Sequence, residues 1–183
     1  MTVPRRFIGA WERERLELDG RRVRGIGRAV WLETGGTYAD VRAPGAIASN
    51  TAFGGRSAWR APRFTWHHDV DLDPRPPRAI DRGELVYEGD RIVERGSGLA
   101  GGASYEEHWR RLPTATSTIA IAAHRHGVAV RVGDHAAALM SAPRCARLWQ
   151  FVDGRWCITV SLGARSLLPT PDKRAWRLPS GWR

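Results

Sequence analysis

The stretch WLETGGTYADVR, residues 31–42, contains two segments of alternating apolar and polar side chains joined by a pair of glycines. Gly35-Gly36 is a two-residue turn of the kind that matches the right-handed twist of a β-hairpin. The stretch is therefore predicted to form two antiparallel strands. It also places two acidic residues and an arginine among Trp, Tyr and Val, and the direction in which these charges point decides what the hairpin does.

The predicted turn determines which side chains of the hairpin share a face, because residues directly opposite one another point to the same side of a sheet. With Gly35-Gly36 at the tip, Glu33 lies opposite Tyr38. Two positions further from the tip, Trp31 lies opposite Asp40. One face carries Val30, Leu32, Ala39 and Val41, and the other carries Trp31, Glu33, Tyr38, Asp40 and Arg42. The charged residues thus gather on one face, together with two aromatic rings.

Two arrangements of these faces are compatible with the sequence. If the Val and Leu face points into a barrel, the charged face is a solvated surface whose aromatic rings are covered by another segment. If the charged face points inward, Asp40 and Arg42 lie together in a cavity of low dielectric constant. Such burial is costly unless the two groups pair or meet a ligand, so only this second arrangement predicts a binding site.

The rest of the chain repeats this alternation between closely spaced turns, which is typical of antiparallel β-structure. Further two-residue turns are predicted at Gly89-Asp90 and Asp153-Gly154. Strands joined in this way are neighbours, and closure into a barrel removes the unpaired edges of a large sheet. The predicted fold class is all-β, a single antiparallel up-and-down barrel of about eight to ten strands with one or two short helices at most.

The length of 183 residues fits one domain with a single core. Residues 1–183 are predicted to form one β-barrel domain, in which residues 167–183 are an irregular tail interrupted by prolines. Two longer connections interrupt the strand pattern, at residues 45–63 and 73–83. The first is predicted to hold a short helix or to form a flap over the mouth of the barrel.

Four segments carry a resemblance to known proteins. FIGAW, residues 7–11, resembles the G-x-W signature of the first lipocalin strand. The blocks WLETGGTYADVRAP, FTWHHDVDLDPRPP and SYEEHWRRLP are similar to segments of a group of bacterial and fungal lipocalin-like proteins, whose budding-yeast member interacts with a casein-kinase-type kinase. The resemblance spans residues 7–135 and implies a calycin-type barrel. The T-D-x-x-Y block of ordinary lipocalins is absent, so no ligand preference is implied.

Two further strands place an ionisable residue on an aromatic face. In TWHHDVDL, alternation assigns to one face Trp66, His68, Val70 and Leu72, and to the other His67, Asp69 and Asp71. In SYEEHWRRL, one face carries Tyr105, Glu107, Trp109 and Arg111. The same association in three strands favours the inward arrangement of the charged face.

The inward arrangement assembles a candidate pocket. Its candidate catalytic residues are Asp40, His68 and Glu107, and its candidate ligand-binding residues are Trp31, Glu33, Tyr38, Arg42, Trp66, Tyr105 and Trp109. Burial and neighbouring charges shift the pKa values of such groups, as acid–base catalysis requires. The pocket is predicted to bind a small organic molecule, aromatic or anionic. Cofactor-independent isomerase, cyclase or lyase chemistry is one alternative; a non-catalytic carrier and a protein-interaction scaffold are the others.

The formal net charge of +10 raises the question of nucleic-acid binding. All of the 29 basic residues except Lys173 are Arg, a bias that GC-rich coding also produces. Nine Trp and a surplus of Arg are compatible with stacking on a single strand. However, acidic residues alternate with Arg along the predicted strands, as in WERERLELD. Nucleic acid is therefore disfavoured as a partner and ranks third.

The remaining motifs predict neither a cofactor nor a metal site. His124 and His126 are two residues apart but fall at a predicted turn. Cys145 and Cys157 form no C-x-x-C pattern and are interpreted as small apolar residues in a reducing compartment. No apolar run is long enough for a signal peptide or a membrane span. The expectation is a cytoplasmic protein with no membrane partner, for which a homodimer remains open.

Overall fold

The computed structural model describes residues 2–45, 51–73, 80–99, 102–163, 168–172 and 175–183. In these residues the chain is built from β-strands, apart from turns and a single 3-10 turn at Arg5–Phe7. The first nine strands are β1 (Gly9–Leu18), β2 (Arg21–Arg22), β3 (Ala29–Glu33), β4 (Thr37–Arg42), β5 (Thr51–Arg60), β6 (Arg63–Asp71), β7 (Ile80–Glu88), β8 (Arg91–Leu99) and β9 (Ala103–Arg111).

Eight of these strands close into an antiparallel barrel. β1 pairs with β3, each strand from β3 to β8 pairs with the next, and β9 returns to pair with β1. The short β2 pairs only with the end of β1. The prediction of an all-β fold with a closed antiparallel barrel is confirmed.

A second sheet lies outside this barrel. It consists of β10 (Ile119–His124), β11 (Gly127–Val132), β12 (His135–Ser141), β13 (Arg144–Val152) and β14 (Arg155–Gly163), paired in chain order. One of its faces packs through Val130, Leu139 and Leu148 against apolar side chains of the barrel wall. The barrel wall therefore has a buried layer on each side, one inside the barrel and one beneath the second sheet.

The second sheet settles the orientation of the hairpin at residues 31–42. Its register is the predicted one, with Glu33 opposite Tyr38 and Trp31 opposite Asp40. Val30 and Val41 pack beneath the second sheet, whereas Trp31 belongs to the cluster inside the barrel. The arrangement with the Val and Leu face inside is wrong, because the second sheet buries that face from outside.

Part of the predicted connection at residues 45–63 is a strand of the barrel. β5 occupies Thr51–Arg60 and pairs with β4 and β6, so the predicted helix or flap is wrong for these residues. The sequence TAFGGRSAWR obscures the strand because two glycines interrupt its alternation. In the second connection, β7 begins at Ile80, and residues 74–79 lie outside the described residues.

A β-bulge in β6 changes the faces predicted for TWHHDVDL. His68 lies opposite Gly55 and Val70 lies opposite Gly54, so Asp69 is an extra residue on β6. An extra residue reverses the alternation beyond it. Trp66 and His68 point inward as predicted, whereas Val70 packs beneath the second sheet. Asp71, predicted on the other face, instead reaches the ring of His68.

Gly55 is expected to be the residue that permits this bulge. A Cβ on Gly55 would overlap the carbonyl oxygen of His67 and lie 2.6 Å from the backbone nitrogen of Asp69. We expect Gly55→Ala to lower the free energy of unfolding by about 2–4 kcal/mol, measured by urea denaturation. The matched control is Gly36→Ala, where the new Cβ meets no atom within 4 Å. Equal stability of the two variants would contradict this account.

The C-terminal residues pack on the outer face of the second sheet. β15 (Thr170–Pro171) and β16 (Trp176–Arg177) form a short pair. Leu168 and Trp182 join the apolar cluster on that face, where Trp149 also lies. Both faces of the second sheet are thereby covered, one by the barrel and one by the tail.

Candidate functional site

The barrel interior is aromatic at one end and charged toward the other. The aromatic end is the end at which β1, β4, β6 and β8 begin. Here the ring of Phe7 lies 4.8 Å from that of Trp59, 6.0 Å from that of Phe64 and 6.2 Å from that of Tyr87. Packed rings of this kind fill the end of the barrel. The opposite end, where these four strands finish, is called the polar end below.

Four charged side chains meet inside the barrel toward the polar end. Asp40 and Arg42 form a two-pronged ion pair, with Oδ1 3.1 Å from Nε and Oδ2 2.9 Å from an Nη atom. Glu107 accepts hydrogen bonds from Arg13 at 2.6 Å and from Arg42 at 3.4 Å. The four residues Arg13, Asp40, Arg42 and Glu107 are called the charge cluster. Burial raises the pKa of Asp40, and the Arg42 guanidinium opposes that effect.

Glu94 lies beside the charge cluster and forms no ion pair among the described residues, although the nearby Arg42 guanidinium lowers its pKa. It faces Glu107 directly across the β8–β9 pair. Its carboxylate oxygens accept hydrogen bonds from neutral donors, Tyr105 Oη at 2.8 Å and Trp109 Nε1 at 3.1 Å. Burial, reinforced by the charge of Glu107, raises the pKa of Glu94 to about 8. At neutral pH the Glu94 side chain is therefore mainly a neutral carboxylic acid.

Two glycines make room for Glu94 and Tyr105 within the barrel wall. A Cβ on Gly83 would lie 3.0 Å from Cγ of Glu94. A Cβ on Gly96 would lie 2.5 Å from the ring and hydroxyl oxygen of Tyr105. Both glycines stand at positions where any larger side chain would displace these two groups. Gly83 and Gly96 thus leave the space in which Glu94 and Tyr105 form their hydrogen bond.

His68 belongs to a separate group near the polar end. Its Nδ1 lies 2.8 Å from Asp71 and its Nε2 lies 3.1 Å from Asp81. Its ring stacks on Phe53 at 4.5 Å with an angle of 5° between the planes. Burial opposes charging of His68, but the hydrogen bonds with the two aspartates outweigh it and raise its pKa.

Glu33 lies apart from these groups, near the hairpin turn at the aromatic end. Its Oε1 accepts hydrogen bonds from the backbone nitrogens of Gly35 and Gly36, at 2.8 and 3.0 Å, and from Ser57 Oγ at 2.8 Å. Burial raises the pKa of Glu33 to about 7, although these hydrogen bonds act in the opposite direction. This carboxylate holds the turn and the adjoining strand β5 together, which is a structural role.

Several buried polar atoms inside the barrel have no hydrogen-bond partner among the described residues. Three of them are donors: Nε1 of Trp31, the hydroxyl of Tyr38 and Nε of Arg13. Trp31 and Tyr38 are essentially inaccessible to solvent. Buried donors without acceptors are rare in folded proteins because each costs the free energy of its desolvation. Each of these three donors therefore lacks the hydrogen bond that would offset its burial.

The ten candidate residues named from the sequence all lie on the interior side of the barrel. Asp40, Arg42 and Glu107 come together as predicted, and Tyr105 and Trp109 adjoin them through Glu94. Trp31 and Trp66 form part of the same wall, with ring centres 5.8 Å apart. Glu33 and His68 are not brought into the charge cluster.

Four interior residues were missed by sequence reasoning: Arg13, Asp71, Asp81 and Glu94. Glu94 had a detectable signal, since it alternates with Ile92 and Gly96 in RIVERGS and so shares a face with an apolar residue. Arg13 lies in WERERLELD, where charge occurs at nearly every position and conceals the inward one. Asp71 had no local signal, because the bulge at Asp69 turns it inward.

No three His, Cys, Asp or Glu side chains of the described residues are grouped in the way that a metal ion requires. Within the same part of the chain, no helix has the length and apolar character needed to cross a membrane. No protein-family model matches the chain, and no curated protein or solved structure matches it significantly. The molecule is a closed eight-stranded antiparallel barrel, compatible with a lipocalin-like fold, around a buried aromatic and charged interior.

Proposed function

We propose that the barrel binds a small organic molecule with a flat apolar body, in contact with the charge cluster and the rings beside it. The observation that carries this proposal is the set of buried donors without partners, the indole nitrogen of Trp31 and the hydroxyl of Tyr38 among them. Pockets for small molecules are typically lined by aromatic side chains with a few polar groups that orient the ligand. The interior of this barrel has both.

The charge cluster gives the proposal a second support. Burying ion pairs costs desolvation free energy that their attraction barely repays, so such pairs are weak contributors to stability. Asp40 and Glu107 are almost inaccessible to solvent, and Arg13 is nearly so. A binding role explains why charged residues occupy positions where apolar side chains would pack at least as well.

Access to the interior is proposed from the polar end. Solvent exposure rises in that direction, from 1% of the side chain at Glu107 to 21% at Arg42 and 42% at Asp81. The aromatic end is filled by the rings around Phe7. A ligand that enters past Asp81 and Arg42 meets Glu94 and Trp109 next.

Acid–base catalysis on this ligand is the second candidate function. Glu94 and Glu107 face each other across β8 and β9 in unlike surroundings, neutral donors for one and two guanidinium groups for the other. A carboxylic acid beside a carboxylate is the pairing that proton-transfer enzymes use. In this alternative Glu94 gives a proton to the substrate and Glu107 removes one, as in an isomerisation without a cofactor. Asp40 and His68 then act as positioning residues.

Ligand binding can be tested by NMR through the indole N–H signals of the tryptophans. The probes are phenethylamine, phenethyl alcohol and 3-phenylpropionate, which share a phenyl ring and differ in their polar group. We expect at least one probe to shift the signals of Trp31, Trp66 and Trp109. The signals of Trp176 and Trp182, on the far side of the second sheet, serve as internal controls and should not move.

The same titration on two variants locates the site. Trp66→Phe is expected to weaken binding several-fold, a loss of about 1 kcal/mol in binding free energy, because the smaller ring of Phe covers less of the ligand. Trp176→Phe is the matched control and should leave the affinity unchanged. If no probe moves an interior signal, or if only the outer tryptophans respond, the proposed function is wrong and a scaffold role gains support.

A further inference from the structure

We infer that the ligand of the barrel is an organic cation, held by its ammonium group at Glu94. This inference rests on the proposed function, and it replaces the anionic alternative that the sequence left open. It depends on the balance of charge in the interior, on the rings around Glu94 and on a buried indole donor beside them.

The charge cluster carries no net charge for an anionic ligand to neutralise, although Nε of Arg13 has no acceptor among the described residues. Arg42 directs Nε and one terminal nitrogen at Asp40 and the other terminal nitrogen at Glu107. Arg13 donates to Glu107 and to the carbonyl oxygen of Gly27. Two guanidinium groups are thus matched by two carboxylates. An anionic ligand would have to compete with Asp40 or Glu107 for these donors.

Beside this neutral cluster, Glu94 adds a third carboxyl group, one that forms no ion pair among the described residues. Its two hydrogen-bond partners among the described residues are an aromatic hydroxyl and an indole N–H, which donate hydrogen bonds without carrying charge. An ionised carboxylate accepts about four hydrogen bonds, so roughly two positions remain for donors of a ligand. An ammonium group supplies both the donors and the missing positive charge.

The rings around Glu94 are also suited to a cation. Trp109 and Tyr105 contact its carboxylate oxygens. Trp66 is also close to Glu94, because both side chains border Gly83: a Cβ on that glycine would lie 3.0 Å from Cγ of Glu94 and 3.3 Å from the Trp66 ring. Aromatic faces attract cations, and the face of Trp109 already has one near it, since the guanidinium carbon of Arg42 lies 6.0 Å from the centre of that ring. An anion in the same place would be repelled by the ionised carboxylate of Glu94.

The indole N–H of Trp31 adds a second requirement on the ligand. Its ring lies 6.0 Å from that of Trp109 and 5.8 Å from that of Trp66, so it adjoins the rings near Glu94. The indole nitrogen is buried and has no acceptor among the described residues. A hydroxyl or carbonyl oxygen on the ligand, near its ammonium group, would accept this hydrogen bond.

Binding of the cation is expected to be coupled to the ionisation of Glu94. The titratable and charged groups near Glu94 are Tyr105 and Glu107 on β9, Asp40 and Arg42 on β4, Arg13 on β1 and Asp81 on β7. At neutral pH the neutral form of Glu94 predominates and must lose its proton to pair with the ammonium group. Affinity should therefore rise with pH, about tenfold per unit below pH 8, and level off above it.

The test compares phenethylamine, phenethyl alcohol and 3-phenylpropionate by calorimetric titration at about pH 8.5, where the amine is still protonated. We expect the amine to bind at least about tenfold more tightly than the alcohol, and the carboxylate to bind most weakly. A titration of the wild-type protein with the amine from about pH 6.5 to 9 should show the rise and the plateau. This second measurement needs no variant.

Glu94→Gln is expected to abolish both the preference for the amine and the pH dependence of its binding. The matched control is Glu106→Gln, which removes the same charge from the outer side of the neighbouring strand β9 and should preserve both. Tighter binding of the alcohol or the carboxylate would overturn the inference and leave the proposed function standing. Absence of binding by all three probes would overturn both.

Discussion

Glu94→Gln is expected to become progressively more stable than the wild-type protein as the pH rises from about 5 to 8. The relative gain should approach 1.4 kcal/mol per pH unit, or about 4 kcal/mol over the interval. Urea denaturation of both proteins across this range measures it. The slope is the decisive quantity, because Gln also alters the hydrogen bonds with Tyr105 and Trp109 by an amount that does not depend on pH.

The sign follows from the raised pKa of Glu94, about 8 in the folded protein against 4.5 for an ordinary Glu. Below about pH 4.5 the carboxyl group is protonated in both states. Between the two values only the folded state holds the proton, so unfolding releases it and the wild-type stability falls as the pH rises. Above pH 8 both states are ionised and the difference becomes constant.

Other groups titrate in the same range but cancel in this comparison. Glu33 has a pKa of about 7 and His68 a raised one, and both also make the wild-type protein less stable with increasing pH. Both are still present in Glu94→Gln, so the difference between the proteins isolates Glu94. Glu106→Gln is again the control and should run parallel to the wild type between pH 5 and 8, within about 0.5 kcal/mol. If the stability of Glu94→Gln also changes with pH in parallel with that of the wild type, Glu94 is ionised throughout this range and the prediction is wrong.

Arg42→Met is expected to lower the free energy of unfolding by about 3–5 kcal/mol at neutral pH. Met retains most of the volume of Arg but leaves the carboxylate of Asp40 without its two-pronged partner. Asp40 is buried inside the barrel, so the unpaired charge is held in a medium of low dielectric constant. Chemical denaturation of wild-type protein and variant measures the loss.

The double variant Arg42→Met with Asp40→Asn separates charge from packing. Removing the stranded carboxylate should restore most of the lost stability, because a neutral amide is much less costly to bury. The control is Arg56→Met, which breaks the exposed pair with Asp69 on the outer surface. That change should cost about 0.5 kcal/mol or less. If Arg42→Met costs no more than this, the charge cluster is effectively solvated.

Much of the architecture followed from local patterns. The Gly35-Gly36 turn predicted the pairs of Glu33 with Tyr38 and Trp31 with Asp40, and the structure has both. Two-residue turns at Gly89-Asp90 and Asp153-Gly154 were also predicted correctly. Turn chemistry and an alternation of two residues act over a few neighbours, so the sequence alone expresses them. β5 escaped detection because Gly54 and Gly55 remove the side chains that alternation needs.

The sequence also determined that the charged residues of the hairpin share one face with aromatic rings, since this depends only on register. The direction of that face was decided by tertiary structure. Either face of the hairpin could have formed the barrel interior. The second sheet covers Val30 and Val41 from outside, so the opposite face, with Trp31 and Asp40, points into the barrel. The partners of the inward charges were likewise decided by tertiary structure, because Arg13, Glu94 and Glu107 come from strands β1, β8 and β9, far from Arg42 in the chain. Electrostatic balance is a property of groups brought together in space, and for that reason only the closed barrel reveals that Glu94 lies beside the charge cluster with neutral hydrogen-bond donors and no ion pair among the described residues.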